Sequence, residues 1–262
     1  MPSILSIPII IGAAVLPALI LIYYIYRRDT AKEPVPQLIA GFGFGVLSAL
    51  VAIFFDGVIM GTGLPITGTP TTVIDALSTA FIGAGIPEEL AKLLMLWLLL
   101  RNNRHFDQYF DGVVYAVSIG MGFAAIENVS YLFTNIDDWM NVAAMRAVVS
   151  VPGHFSFAVL MGYFYSLIHI GGQNTIRNRV LVIAAPVLAH GAFDSVLFMS
   201  SLNPWLALLC MVMFVVLCVW LIKECRRNIR ILREYDSMPP LPPQLPPPLP
   251  PMPPQQFINN RY

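Results

Sequence analysis

The chain is 262 residues long, 57% hydrophobic and 11% charged, with a formal net charge of zero. That charged fraction is less than half the roughly 25% of a soluble domain, which excludes a wholly water-facing surface, and no basic patch suits nucleic acid. Cys210, Cys218 and Cys225 match no zinc or redox spacing and read as small apolar residues.

A helix crossing a bilayer needs about 20 mostly apolar residues. On that template, spans fall near 4–26, 36–60, 73–100, 109–133, 142–170, 180–200 and 203–223, an all-α polytopic transmembrane bundle of about seven spans. The first segment lacks a basic leader and is longer than a signal-peptide core of about 7 to 15 residues, so it reads as a retained span. Arg27, Arg28 and Lys32 follow span one, Arg101 and Arg104 span three, Arg177 and Arg179 span five, and Lys223, Arg226, Arg227, Arg230 and Arg233 span seven. The intervening loops 61–72, 134–141 and 201–203 carry no Lys or Arg. The positive-inside rule then predicts an N-terminus outside, a cytoplasmic C-terminus and a multi-pass protein of the cell membrane, with the lipid bilayer as its surroundings. Two regions result: a helical domain over 1–233 and a proline-rich cytoplasmic tail over 234–262. The tail predicts extended polyproline II structure and, beyond simple solvation, a partner that binds proline motifs.

Ionisable side chains within spans cost a few kcal/mol even on the mildest scale, so they face protein and mark function. Span three holds Glu88-Glu89-Leu90-Ala91-Lys92, in which Lys92 stands four residues after Glu88 and three after Glu89 and can pair with either. Pro87, just before them, predicts a disturbed helix. Span four contributes Glu127 and Asn128, span five His154, and span six His190 with Asp194 one turn later. A lone His in mid-span is commonly a structural hydrogen-bonding group, and Arg146 near a span end suits snorkelling. The convergence of these residues at compatible depths on four helices predicts one polar pocket instead.

Carboxylates and imidazoles with no nucleophilic Ser or Cys point to activation of water. In one mechanism Glu88 or Glu89 is the general base, with Asn128 and His154 or His190 stabilising the oxyanion, and no cofactor is needed. In the other, His154, His190 and Glu127 hold zinc and another glutamate is the base, although no HExxH is present. The first is favoured.

The motifs together resemble the PrsW family of polytopic intramembrane proteases, distant relatives of the CAAX-prenyl endopeptidases. The resemblance rests on Glu88-Glu89-Leu90-Ala91-Lys92, on Asp111-Gly112-Val113-Val114-Tyr115 with Gly120, Gly122 and Phe123 through Glu127-Asn128, on Arg146 with His154, and on His190 with Asp194. It implies an endopeptidase that cleaves membrane-anchored proteins, an anti-sigma factor being the family's named example. It also implies active residues at Glu88, Glu89, Glu127, Asn128, His154 and His190, supported by Lys92, Asp194, Asp111 and Arg146.

Two other classes compete. A proton-coupled transporter would also carry intramembrane Glu, Asp and His, but would line a continuous path with them. A scaffold acting through its tail would depend on the tail and not on Glu89.

Overall fold

The structure, a computed structural model, describes residues 6–63 and 69–238. Their elements are α1 (Ser6–Arg28), α2 (Val35–Gly61), α3 (Val73–Ser78), a π-helical segment (Thr79–Gly85), α4 (Ile86–Leu100), α5 (Asp111–Thr134), a short 3₁₀ turn (Ile136–Asp138), α6 (Trp139–Val148), α7 (Ser150–His169), α8 (Ile176–Ser200) and α9 (Pro204–Ser237). Among the described residues there is no strand, and the all-helical bundle expected from the sequence is the observed fold. Six stretches are long and apolar enough to cross a membrane: α1, α2, α5, Ile136–His169, α8 and α9. The seventh is the unbroken helical run from α3 through α4, whose apolar character is interrupted by Glu88, Glu89 and Lys92.

The helix ends follow local chemistry. Thr72 and Asp75 form a reciprocal capping box on α3. The Asn203 side chain accepts from the Leu206 amide ahead of Pro204, and Thr175 likewise caps α8. The Asp236 carboxylate, near the end of α9, accepts the amides of Tyr109 and Phe110 and so ties the start of α5 to the end of α9.

Within the bundle α5 is central, in contact with α1, α2, α4, α6 and α7. Of its most apolar stretch 83% is buried, against 11% for α9, which lies at the periphery. Small residues set this closeness. A Cβ on Gly122 would stand 2.1 Å from the Phe42 carbonyl oxygen of α2, and one on Gly45 2.1 Å from that of Ile119. On the opposite side Gly112 meets Gly162 and Gly120 meets Ala158 of α7. Without a hydrophobic force between helices in lipid, such backbone approach is what maximises van der Waals contact.

Two local departures from straight spans bear on the site. Pro87 lacks an N–H and its ring conflicts with the carbonyl four residues back, and the chain accommodates this by widening to a π-helix immediately before it, with the Ile86 amide bonded to the Phe81 carbonyl. The single span expected over 142–170 is broken at Val149 into α6 and α7. Pro152 explains the break, since the carbonyl that its ring would meet is that of Val148, the last residue of α6. Helix α9 runs on to Ser237, and the proline-rich tail lies from residue 239 outside the described residues.

Candidate active site

Glu88 and Glu89 occupy the first turn of α4, directly after the π segment, and Lys92 follows one turn later. The Lys92 ammonium donates to Glu89 Oε1 at 2.8 Å and to Glu88 Oε2 at 3.2 Å. It also lies 3.2 Å from His154 Nδ1 of α7, and 3.9 Å from the centre of the Phe123 ring of α5. Lys92 can only donate, so His154 Nδ1 accepts, and Nε2 carries the proton that it directs to Glu127 Oε2 at 2.9 Å. Glu127 is in turn gripped by Arg146, whose Nη2 is 2.5 Å from the same oxygen and 2.9 Å from Ser150 Oγ. The Arg146 guanidinium stacks 3.9 Å above the Tyr131 ring.

His190 of α8 completes the group. Its Nδ1 is 2.9 Å from Glu89 Oε1, and its Nε2 is 3.3 Å from Asp194 and 3.8 Å from Glu88. The ring lies against Phe157 at 4.7 Å and meets His154 edge-on at 5.3 Å. Each imidazole therefore has its Nε2 held by a carboxylate, Glu127 or Asp194, and turns Nδ1 toward Glu89 and Lys92. Glu89 is fully buried, and its Oε2 has no hydrogen-bond partner among the described residues. Glu88, Asp194 and Glu127 keep 15%, 20% and 22% of their side chains exposed and mark the open side of the cluster.

Of the residues singled out in the sequence, Glu88, Glu89, Lys92, Glu127, Arg146, His154, His190 and Asp194 meet in this cluster. Asn128 is adjacent but engaged: its Nδ2 donates to the Ala14 carbonyl of α1 and its Oδ1 accepts from Arg146 Nε. One of its two side-chain N–H groups is thus committed to α1, which leaves the other for the oxyanion role expected from the sequence. Asp111 lies apart at the arginine-bearing end, where it accepts the amides of Asp107 and Gln108 beside Glu33 and Tyr115. It fastens the loop that leads into α5 and stands outside the cluster. Arg146 does not snorkel; it turns inward onto Glu127 and Asn128. Sequence reasoning missed Ser150, Tyr131 and the Phe157 ring, although Ser150 stands one helical turn after Arg146.

The residues able to hold a metal are Glu88, Glu89, His154 and His190, with one donor atom from each within 4.8 Å of all the others. Glu127, expected as a ligand in the zinc alternative, falls outside this set and backs His154 from behind, the usual place of a carboxylate that orients a ligating imidazole. The donor types suit zinc. Lys92 Nζ stands 2.8–3.2 Å from Glu88, Glu89 and His154 and already places one cation among three of these four residues.

The fold and this cluster define a membrane-embedded hydrolytic enzyme: carboxylates and imidazoles gathered among transmembrane helices, the Ser150 hydroxyl beside them being bound to Arg146. The sequence matches the profile described as PrsW family intramembrane metalloprotease over residues 33–221, and the chain belongs to that family. Relatives named Protease PrsW include those of Clostridioides difficile, 32% identical over 78% of this chain and 84% of the relative, and Oceanobacillus iheyensis, 31% over 76% and 90%. That of Bacillus subtilis is 28% identical over 75% of this chain and 85% of the relative. No solved structure matches the chain.

Proposed function

We propose that the chain is an endopeptidase of the cell membrane that hydrolyses a membrane-anchored protein, with Glu88 as the base that activates water. The observation that carries this reading is the division of labour between the two glutamates. Glu89 is fully buried and shared by Lys92 and His190, whereas Glu88 is partly open and holds the longer contacts, 3.2 Å to Lys92 and 3.8 Å to His190. A carboxylate can take a proton from water only if water reaches it. His190, fixed by Asp194 and Glu89, presents Nε2 on the Glu88 side and is the donor placed to stabilise an oxyanion there. Lys92 supplies the positive charge that lets two carboxylates share a dry pocket. His154 relays its hold on Lys92 to Glu127 and Arg146. The ionisable groups converge in one hydrogen-bonded cluster and do not string out along the bundle, which favours a hydrolase over a proton-coupled transporter.

A zinc-dependent version of the same protease is favoured by the mutual distances of Glu88, Glu89, His154 and His190 and by the family's description. In it Glu89, His154 and His190 would hold the ion, which when bound polarises the carbonyl and acidifies water.

Elemental analysis of the purified protein, alongside cleavage of single-span substrates with and without chelator, separates the two. Cleavage by metal-free protein supports Lys92 as the resident cation. About one zinc per chain with chelator-sensitive cleavage overturns it in favour of the metal.

A further inference from the structure

The ends of α1 and α9 that carry the arginines border a cleft of about 980 Å³, well away from the carboxylate cluster. Arg28 and Tyr24 line it from α1; Arg226, Ile229, Arg230 and Arg233 line it from α9. Three of these arginines stand at i, i+4 and i+7, so they share one helical face, where like charges repel. Glu234 also lines the cleft, one helical turn after Arg230, and offsets part of that repulsion without reaching ion-pair distance. Among the described residues none of the four guanidinium groups is in an ion pair, whereas neighbouring Arg227 is paired with Glu224 at 2.8 Å. Asp236, which also lines the cleft, is occupied by the Tyr109 and Phe110 amides. Arg28 lies flat on the Tyr24 ring at 4.5 Å, which fixes one guanidinium at the rim.

The apolar surface above points to an amphiphile. Leu208, Val212, Val215, Val219 and Ile222 are each about half exposed, and their spacing of three and four residues carries the same stripe of α9 straight into Arg226, Arg230 and Arg233. From Pro204 to Ile222 a helix rises about 28 Å, close to the ~30 Å of a hydrocarbon core, so the arginines begin at the headgroup level. Planar guanidinium groups match phosphate oxygens two at a time.

We propose that this cleft binds the phosphodiester headgroup of an anionic phospholipid, with the acyl chains laid along the exposed stripe of α9. The shared chemistry is phosphate, and a free phosphate ion is the other source that could meet it.

The test uses the full chain, purified in neutral detergent and offered equal phosphatidylglycerol and phosphatidylcholine, with retained lipid counted by native mass spectrometry. We expect at least tenfold preference for phosphatidylglycerol. The preference should be lost in the Arg226→Gln/Arg230→Gln/Arg233→Gln variant, weakened in Arg28→Gln on the other helix, and kept in Arg27→Gln/Arg227→Gln, which removes two nearby charges outside the cleft. All variants are to be monodisperse on gel filtration, and since these arginines are exposed their replacement leaves the core intact. Equal retention by the triple variant and the unaltered chain overturns the site, as does equal loss in the Arg27/Arg227 control, which would mean diffuse charge attraction. Millimolar inorganic phosphate binding lipid-free protein and displacing phosphatidylglycerol completely would overturn the lipid as ligand in favour of the free ion.

Discussion

Lys92 is the residue on which the pocket's electrostatics turn, because one ammonium sits against two carboxylates and an imidazole where water is scarce. Removing one partner of a buried charge group typically costs about 3–5 kcal/mol, since the remaining charges lose their compensation. Lys92→Met should therefore lower thermal stability sharply, and Lys92→Met combined with Glu88→Gln should recover part of the loss; a detergent-based melting assay reads both. Arg146 acts one step further out. Arg146→Ala should leave the fold in place and reduce cleavage by about 10–100-fold, the scale seen when an orienting partner is removed. The spacing of Glu88, Glu89 and Lys92 made their pairing legible in the sequence, because i+3 and i+4 geometry is local. The contact of Lys92 with His154 and the engagement of Asn128 by Ala14 were not legible, because they depend on how α7 and α1 are rotated against α5.

At the scale of elements, the closeness of α5 to its neighbours has a direct consequence. A Cβ at Gly122 meets backbone, which cannot move aside, so Gly122→Ala should destabilise by about 1–3 kcal/mol, while Gly43→Ala, with open space around it, should be neutral. The connection between α1 and α2 carries a pH signature. Burial raises Glu33 above its ordinary value of 4.5, with the Tyr115 hydroxyl, which donates to its carboxylate, opposing. A raised folded-state value means that its contribution is fully present below about pH 4.5 and is lost as pH climbs through the folded value. Glu33→Gln keeps the acceptor for Tyr115 and removes the charge. The variant should thus melt higher than the unaltered chain at neutral pH and equally at low pH. Hydropathy placed the spans, and prolines marked both departures from them: Pro87 announced a disturbed helix and Pro152 explains the break at Val149. The form of the first disturbance, a π-helix and not a bend, has no local signal in the sequence; the segment packs against α8.

On the proposed reading, the cluster where α4, α5, α7 and α8 meet carries the function of the whole molecule and the proline-rich tail carries none. Truncation after Ser237 should leave cleavage intact, whereas a scaffold working through the tail would lose its function. The central claim is that Glu88 takes the proton from the attacking water. The most direct measurement is the rate at which purified Glu88→Gln cleaves a single-span substrate, beside Glu89→Gln and the unaltered chain. Glu88→Gln should lose about 10²–10⁴-fold in rate, with the melting temperature nearly unchanged. Cleavage at the unaltered rate by a folded Glu88→Gln protein would contradict the claim.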